Sequence, residues 1–218
     1  MEIGVWAGSS ISMWSKYFSN SHIMGMDVPK EIKDNTIYPF SVEQSAQLAA
    51  SLGNVSLFFG DSGNRENYDE MIAYLEGLTG RREFDVIIDD GPHFQHDIMV
   101  ALGGLFKHLS SGGIYIIEDI VSEQDLETGS QWWGHSEESH HVGGFHDDET
   151  MLAGPKINIK NCVSYVMKEF GKTNIMNSKY LTEEENTYLT ENIAGFSHYP
   201  AKQGPIRCES EIVVLHKK

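Results

Sequence analysis

The chain has 218 residues, 40% of them hydrophobic, which is enough for one large domain with a buried core. Its 32 acidic and 16 basic residues give a formal net charge of −16, which disfavours nucleic acid and anionic membrane surfaces as partners. The sequence has neither an apolar run of membrane-spanning length nor a signal peptide at its start, so we expect a cytoplasmic protein. Two isolated cysteines, Cys162 and Cys208, indicate reduced thiols rather than a disulfide framework.

In the first half of the chain, short apolar runs ending in acidic or glycine-rich turns alternate with segments of helical spacing. This alternation is typical of an α/β fold with a mainly parallel sheet. The predicted strands are residues 1–6, 23–27, 55–59, 85–89 and 113–118, and the predicted helices between them are residues 41–52, 66–78 and 96–109.

The second half of the chain begins with a long polar segment, residues 121–150, which we interpret as a lid over an acceptor site. A helix is predicted over residues 159–170, with Gly171 placed to stop it. Residues 194–199 and 211–216 are predicted to form a closing hairpin at one edge of the sheet. Because no helix precedes the first strand, we expect a single domain, residues 1–218, cut from a longer protein; fusion to other domains and homo-oligomer formation both stay open.

Glycines and acids at successive strand ends predict a cofactor cleft. Gly4 and Gly8 lie at the turn after the first strand, where a cofactor must approach the backbone closely, and Glu2 precedes the first glycine by two residues. Asp27 ends the second strand, where a carboxylate can accept hydrogen bonds from both ribose hydroxyls. Asp61 follows the third strand, within reach of an adenine amino group. The spacing differs from the GxGxxG motif of dinucleotide-binding enzymes.

The fourth and fifth strands both end in paired acids, Asp89-Asp90 and Glu118-Asp119. Neighbouring parallel strands lie about 4.8 Å apart, so these carboxylates converge and would repel one another unless some were protonated or a cation lay among them. A hard divalent ion such as Mg²⁺ or Mn²⁺ is the simplest remedy. His93 follows in the rim of the cluster and can take a proton from a substrate hydroxyl, with His96 as a nearby competitor for that role.

A histidine-rich stretch within residues 121–150 carries the pair Trp132 and Trp133. It lacks the fixed Cys or His ligand spacing of a zinc site. Aromatic side chains make good platforms for sugar faces, so both tryptophans are candidates for lining the acceptor pocket, and a role in the core is the alternative for either one.

Three blocks, EIGVWAGSS, FDVIIDDGPH followed by His96, and GGIYIIEDI, resemble the metal-dependent sugar O-methyltransferases of macrolide tailoring, of the mycinamicin type. That group includes rhamnosyl O-methyltransferases and cephalosporin-hydroxylase-like relatives. The resemblance implies a Rossmann-like class I S-adenosylmethionine-dependent fold with seven strands and helices on both faces. Two departures are Pro92, where the family carries serine, and the absence of the family's N-terminal region.

By this resemblance, the metal ligands are Asp90, Glu118 and Asp119, and the general base is His93. Asp89 then faces the cofactor or braces the cluster, and the cofactor set is Gly4, Gly8, Asp27 and Asp61. Glu2 is a further cofactor candidate from its place before the first glycine. The expected reaction is methyl transfer from S-adenosylmethionine to the hydroxyl of a sugar or glycoside, such as a deoxysugar of the rhamnose type. Three alternatives stay open at this point: a catechol-like acceptor, a nicotinamide-dependent oxidoreductase, and a binding module without catalysis.

Overall fold

The computed structural model describes residues 1–28, 42–120, 159–200 and 211–218, and its centre is one seven-stranded sheet with the order β3-β2-β1-β4-β5-β7-β6. Strands β1 to β5 pair in parallel, and β7 runs antiparallel to both of its neighbours. The predicted mainly parallel sheet with a closing hairpin is confirmed. Its strands are β1 Glu2–Ile3, β2 Ile23–Asp27, β3 Val55–Phe59, β4 Phe84–Asp89, β5 Leu109–Ile120, β6 Ile193–Tyr199 and β7 Glu211–Lys217.

Six α-helices flank the sheet within the described part of the chain. Their bounds are α1 Ser9–Tyr17, α2 Val42–Leu52, α3 Glu66–Thr79, α4 Gln95–Leu105, α5 Val163–Thr173 and α6 Glu183–Asn192, with short 3-10 turns at Phe106–His108 and Ile159–Asn161. None of the helices described is long and apolar enough to cross a lipid bilayer.

Helices cover both faces of the sheet because alternate residues of a strand point to opposite sides. On β2, Ile23 packs with Ile11 of α1 and Ala49 of α2 in a small apolar cluster. Met24 and Met26 belong instead to the main core, which α3, α4 and α5 share with β4 and β5. Helix α4 is buried along nearly its whole length. It therefore anchors the loop that follows β4.

Several predicted boundaries were wrong. Strand β1 ends at Ile3, because Gly4 turns the chain with a φ of 87°. The helix predicted over residues 96–109 ends at Leu105, and β5 begins already at Leu109. Gly171 lies inside α5, and the helix ends at Thr173, followed by the C-cap Asn174 in the left-handed conformation. A side chain at position 171 would meet the ring of Phe196, so this glycine serves packing rather than termination.

Helices α1 and α6 were not predicted. Helix α6 begins with a capping box, in which the Thr182 hydroxyl and the Glu185 carboxylate each accept from the other residue's backbone amide. Only Leu189 of its residues is buried. The helix therefore lacks the apolar stripe by which helices are ordinarily found in a sequence.

Candidate active site

The carboxyl ends of strands β1 to β5 bring the described site residues that the sequence predicted to one edge of the sheet. Ile3 of β1 lies opposite Met26 of β2 and Asp89 of β4, and Asp89 lies opposite Ile117 of β5. The residues that follow these positions therefore emerge side by side. Ligands of open α/β sheets bind at this edge.

Gly4 allows the ends of β1 and β4 to approach each other. A Cβ at Gly4 would lie 1.9 Å from the carbonyl oxygen of Asp90, and one at Gly8 would lie 2.1 Å from a methyl carbon of Leu48. Both glycines have positive φ, and Gly8 is the N-cap of α1. The tight contacts are thus with the protein itself, and their contact with a cofactor stays a prediction.

Asp27 shapes the loop that follows β1. Its Oδ2 accepts hydrogen bonds from the backbone amides of Val5 at 3.2 Å and Trp6 at 2.8 Å, and its Oδ1 accepts from Val28 at 2.8 Å. Trp6 has a φ of 41°, a conformation that these amide bonds hold in place. Asp27 therefore fixes the shape of the loop after β1, and its contact with a ribose stays a prediction.

Asp61 begins the turn between β3 and α3. Its Oδ1 accepts from the amide of Gly63 at 2.8 Å, and its carbonyl oxygen accepts from the side-chain amide of Asn67 at 3.0 Å. The residue is exposed. It stands where the sequence placed it, just past the third strand.

Asp90, His93 and Asp119 come together at the centre of the edge. One ligand atom from each lies within 4.8 Å of the others. His93 Nε2 is 3.9 Å from Asp90 Oδ1 and 4.0 Å from Asp119 Oδ2. Both His93 and Asp119 have positive φ, 61° and 52°. Such conformations are costly for non-glycine residues and cluster at functional sites.

The electrostatics of this edge fit a bound cation. Burial, with the carboxylates of Glu118, Asp119 and Glu2 nearby, raises the pKa of Asp90 to about 7. Burial and Asp119 likewise raise the pKa of Glu118, and burial is the main cause of the raised pKa of Glu2. One carboxylate oxygen of Glu2, Oε2, is buried with no hydrogen-bond partner. Carboxylates crowded in this way are the oxygen donors that Mg²⁺ and Mn²⁺ bind.

Two of the three predicted metal ligands belong to the cluster of Asp90, His93 and Asp119. Asp90 and Asp119 are in it, His93 is its third member, and Glu118 stands outside it while still acting electrostatically on Asp90. Burial holds the pKa of His93 below its ordinary value, against the opposing effect of Asp119. Its ring is therefore neutral at pH 7 and able to accept a proton.

Asp89 is not a member of this cluster. It is 2% exposed, and its Oδ2 accepts a hydrogen bond of 3.2 Å from the hydroxyl of Tyr115 on β5. Burial raises its pKa to about 7. Of the two roles expected for Asp89, this placement favours bracing. Tyr115 was missed from the sequence, although its position two residues before Ile117 on β5 marks it as inward-facing.

The predicted lid, residues 121–150, and with it Trp132 and Trp133, lies outside the described residues. Cys208 lies outside them too, whereas Cys162 is buried, as expected, and its sulfur accepts a hydrogen bond of 3.4 Å from the backbone amide of Tyr165.

The strand order, the reversed β7 and helices on both faces define the fold of the class I S-adenosylmethionine-dependent methyltransferases. The MycE methyltransferase of mycinamycin biosynthesis, solved with Mg, S-adenosylhomocysteine and mycinamycin VI, matches with a TM-score of 0.56 at 20% identity, over 99% of this chain and 43% of that one. The O-methyltransferase TomG from Streptomyces achromogenes, solved with S-adenosylmethionine, matches with a TM-score of 0.50 at 11% identity, over 99% and 71%.

Similarity in sequence points to sugar O-methyltransferases, as the motifs predicted. The chain is 28% identical over 127 residues to the mycinamicin VI 2''-O-methyltransferase of Micromonospora griseorubida, covering 55% of this chain and 26% of that protein. It is 28% identical over 127 residues to the demethylmacrocin O-methyltransferase of Streptomyces fradiae, covering 55% and 27%. The chain thus spans about a quarter of the length of these curated relatives. No family model matches it.

Proposed function

We propose that the chain catalyses S-adenosylmethionine-dependent and divalent-metal-dependent O-methylation of a sugar hydroxyl. The observation that carries the proposal is the convergence of Asp90, His93 and Asp119 at the cofactor-binding edge of a methyltransferase fold. The relatives in sequence are O-methyltransferases acting on sugars of macrolides, and another acts on a rhamnosyl tetracenomycin. Their names support a sugar or glycoside acceptor, of the rhamnose type or a related deoxysugar.

In this mechanism, Asp90 and Asp119 would hold a Mg²⁺ or Mn²⁺ ion, with Glu118 as the further ligand expected from the resemblance. The ion, when bound, lowers the pKa of a coordinated hydroxyl and neutralises the crowded carboxylates. Glu2, Gly4, Gly8, Asp27 and Asp61 line the S-adenosylmethionine side of the edge, and Asp89 braces it from within through Tyr115.

His93 supplies the proton acceptor. Its Nε2, which lies beside both carboxylates, takes the proton of the acceptor hydroxyl while the oxygen forms a bond to the methyl carbon and the bond between that carbon and sulfur breaks. The products are a methyl ether, S-adenosylhomocysteine and a protonated His93. Positioning and charge stabilisation carry most of the acceleration.

The proposal is tested by methyl transfer from labelled S-adenosylmethionine to a panel of rhamnosides, other deoxysugar glycosides and catechols, with and without Mg²⁺. We expect transfer to a glycoside that chelation of the metal abolishes. His93→Ala and Asp90→Ala should each abolish turnover and leave affinity for S-adenosylhomocysteine largely intact. The matched control is His96→Ala, which removes a histidine three residues away that bonds Asp97 instead.

Full activity of the His93→Ala and Asp90→Ala variants would refute the mechanism. If His96→Ala lost turnover while His93→Ala retained it, the general base would be His96 rather than His93. Transfer to catechols alone would overturn the sugar assignment while keeping the reaction type.

A further inference from the structure

The turn between β3 and α3, which carries Asp61, is tied to a part of the chain that lies more than 100 residues further on. Arg65 ends this turn and donates from Nε to Glu185 Oε1 at 2.8 Å and from Nη2 to Glu185 Oε2 at 2.7 Å. The same Nη2 donates to the carbonyl oxygen of Tyr180 at 2.8 Å. A bidentate pair of hydrogen bonds between a guanidinium and a carboxylate fixes the orientation of the two groups as well as the distance between them.

Glu185 is itself held firmly. Its Oε2 accepts from the backbone amide of Thr182 at 2.8 Å, and its own amide donates to the Thr182 hydroxyl at 3.1 Å. A Cβ at Gly103 of α4 would lie 2.8 Å from the carboxylate carbon of Glu185, so this glycine makes room for the acid. Burial alone would raise the pKa of Glu185, but its bonds with Arg65 and Thr182 hold it below its ordinary value. The carboxylate is therefore charged at neutral pH.

The rest of the turn is supported from α3 and α4. The Tyr68 hydroxyl donates to the carbonyl oxygen of Ser62. A Cβ at Gly63 would lie 2.4 Å from Asp97 Oδ1, and one at Gly104 would lie 2.3 Å from the Tyr68 ring. These contacts fix the middle of the turn, and the bonds of Arg65 fix its end.

We propose that Arg65 and Glu185 are positioning residues that set the turn of Asp61 against the adenine end of S-adenosylmethionine. The inference rests on the proposed function, since it needs that cofactor. Asp61 Oδ1 is bonded to the amide of Gly63, so its carboxylate keeps one orientation only while the turn keeps its shape. Without the bonds between Arg65 and Glu185, the turn can change its shape. The Asp61 carboxylate then no longer lies in a fixed orientation to accept a hydrogen bond from the adenine amino group.

The test is calorimetric binding of two ligands, S-adenosylhomocysteine and S-inosylhomocysteine. The second carries a carbonyl where adenine carries its amino group, so it cannot donate to Asp61 from that position. We expect Glu185→Gln and Arg65→Gln each to raise the Kd for S-adenosylhomocysteine about tenfold, the effect of losing one charged hydrogen bond. The preference for the adenine ligand over the inosine ligand should fall by a similar factor.

Two variants serve as controls. Arg82→Gln removes a guanidinium from an exposed pair with Glu76, away from the turn, and should change neither affinity nor preference. Arg65→Lys keeps the positive charge but cannot form the bidentate bond to Glu185. Its affinity for S-adenosylhomocysteine should therefore lie between those of the wild type and Arg65→Gln. Thermal unfolding without ligand checks that each variant is folded. A purely structural role for the pair would lower the unfolding temperature and leave the ligand preference unchanged.

The outcomes separate the inference from the proposed function. If the wild type fails to bind S-adenosylhomocysteine, the proposed function falls. If the wild type binds it with a preference for adenine and the folded Glu185→Gln variant keeps both affinity and preference, the positioning role is refuted.

Discussion

Gly4→Ala is the substitution for which the structure makes the sharpest stability prediction. The new Cβ would lie 1.9 Å from the carbonyl oxygen of Asp90, 2.7 Å from its carbonyl carbon and 3.0 Å from the Cα of Gly91. All three are backbone atoms of the loop after β4, so no side chain can swing away to relieve the clash. The φ of 87° adds a second cost, because L-residues rarely adopt it.

The two costs can be estimated separately. A left-handed backbone costs an alanine about 1–2 kcal/mol. Forcing extra atoms into a packed interior costs about 1–3 kcal/mol. We therefore expect Gly4→Ala to lower the free energy of unfolding by about 2–5 kcal/mol, measured by denaturant titration.

Gly112→Ala is the matched control. Gly112 has a φ of 77°, close to that of Gly4, but a Cβ there would meet nothing within 4 Å. It should cost about 1–2 kcal/mol, from the backbone alone. If Gly4→Ala costs no more than Gly112→Ala, the close approach of β1 to the Asp90 loop is not what requires a glycine at position 4, and the reasoning fails.

Three further changes test other parts of the fold. Gly77→Ala, at a helical position of α3 where a Cβ meets nothing within 4 Å, should stabilise the protein by about 0.5–1 kcal/mol in the same titration. Thr182→Ala removes the capping box of α6 and should cost about 1 kcal/mol; an unchanged unfolding midpoint would contradict this. Asp90→Asn should remove part of the pH dependence of stability in the metal-free protein. Because Asp90 has a raised pKa in the folded state, the free energy of unfolding of the wild type should fall as the pH rises from about 4 to 7. The variant should lose the part of this fall that Asp90 causes.

The parallel part of the sheet could be predicted from the sequence because each of the strands β1 to β5 is an apolar run with an acidic or glycine-rich end. The third strand, Val55–Phe59, was predicted to the residue. Helix α6 was missed because its residues are mostly polar, although the Thr182 to Glu185 spacing is a capping-box signal in the sequence itself. Helix α1 was missed because its serine-rich start resembles a loop and only Ile11 and Ser15 are buried.

Within the site, the sequence indicated which acids gather at the edge and did not indicate how they face. Residue order along β5 makes Glu118 and Asp119 equal candidates, and the positive φ of Asp119 turns its carboxylate toward His93. The hydrogen bond from Tyr115 to Asp89 joins the neighbouring strands β5 and β4. The hydrogen bond from Arg65 to Glu185 joins residues 120 positions apart in the sequence. No local pattern encodes such contacts, because they depend on how distant elements pack.

We propose that this edge of the sheet holds a divalent metal beside the methyl donor. The direct measurement is a crystal structure with S-adenosylhomocysteine and Mn²⁺, in which anomalous diffraction locates the metal. We predict an anomalous peak in contact with carboxylate oxygens of Asp90 and Asp119, with the sulfur of S-adenosylhomocysteine on the Gly4 and Asp27 side of the same cleft. S-adenosylhomocysteine bound at the edge with no manganese between Asp90 and Asp119 would contradict the metal-dependent mechanism.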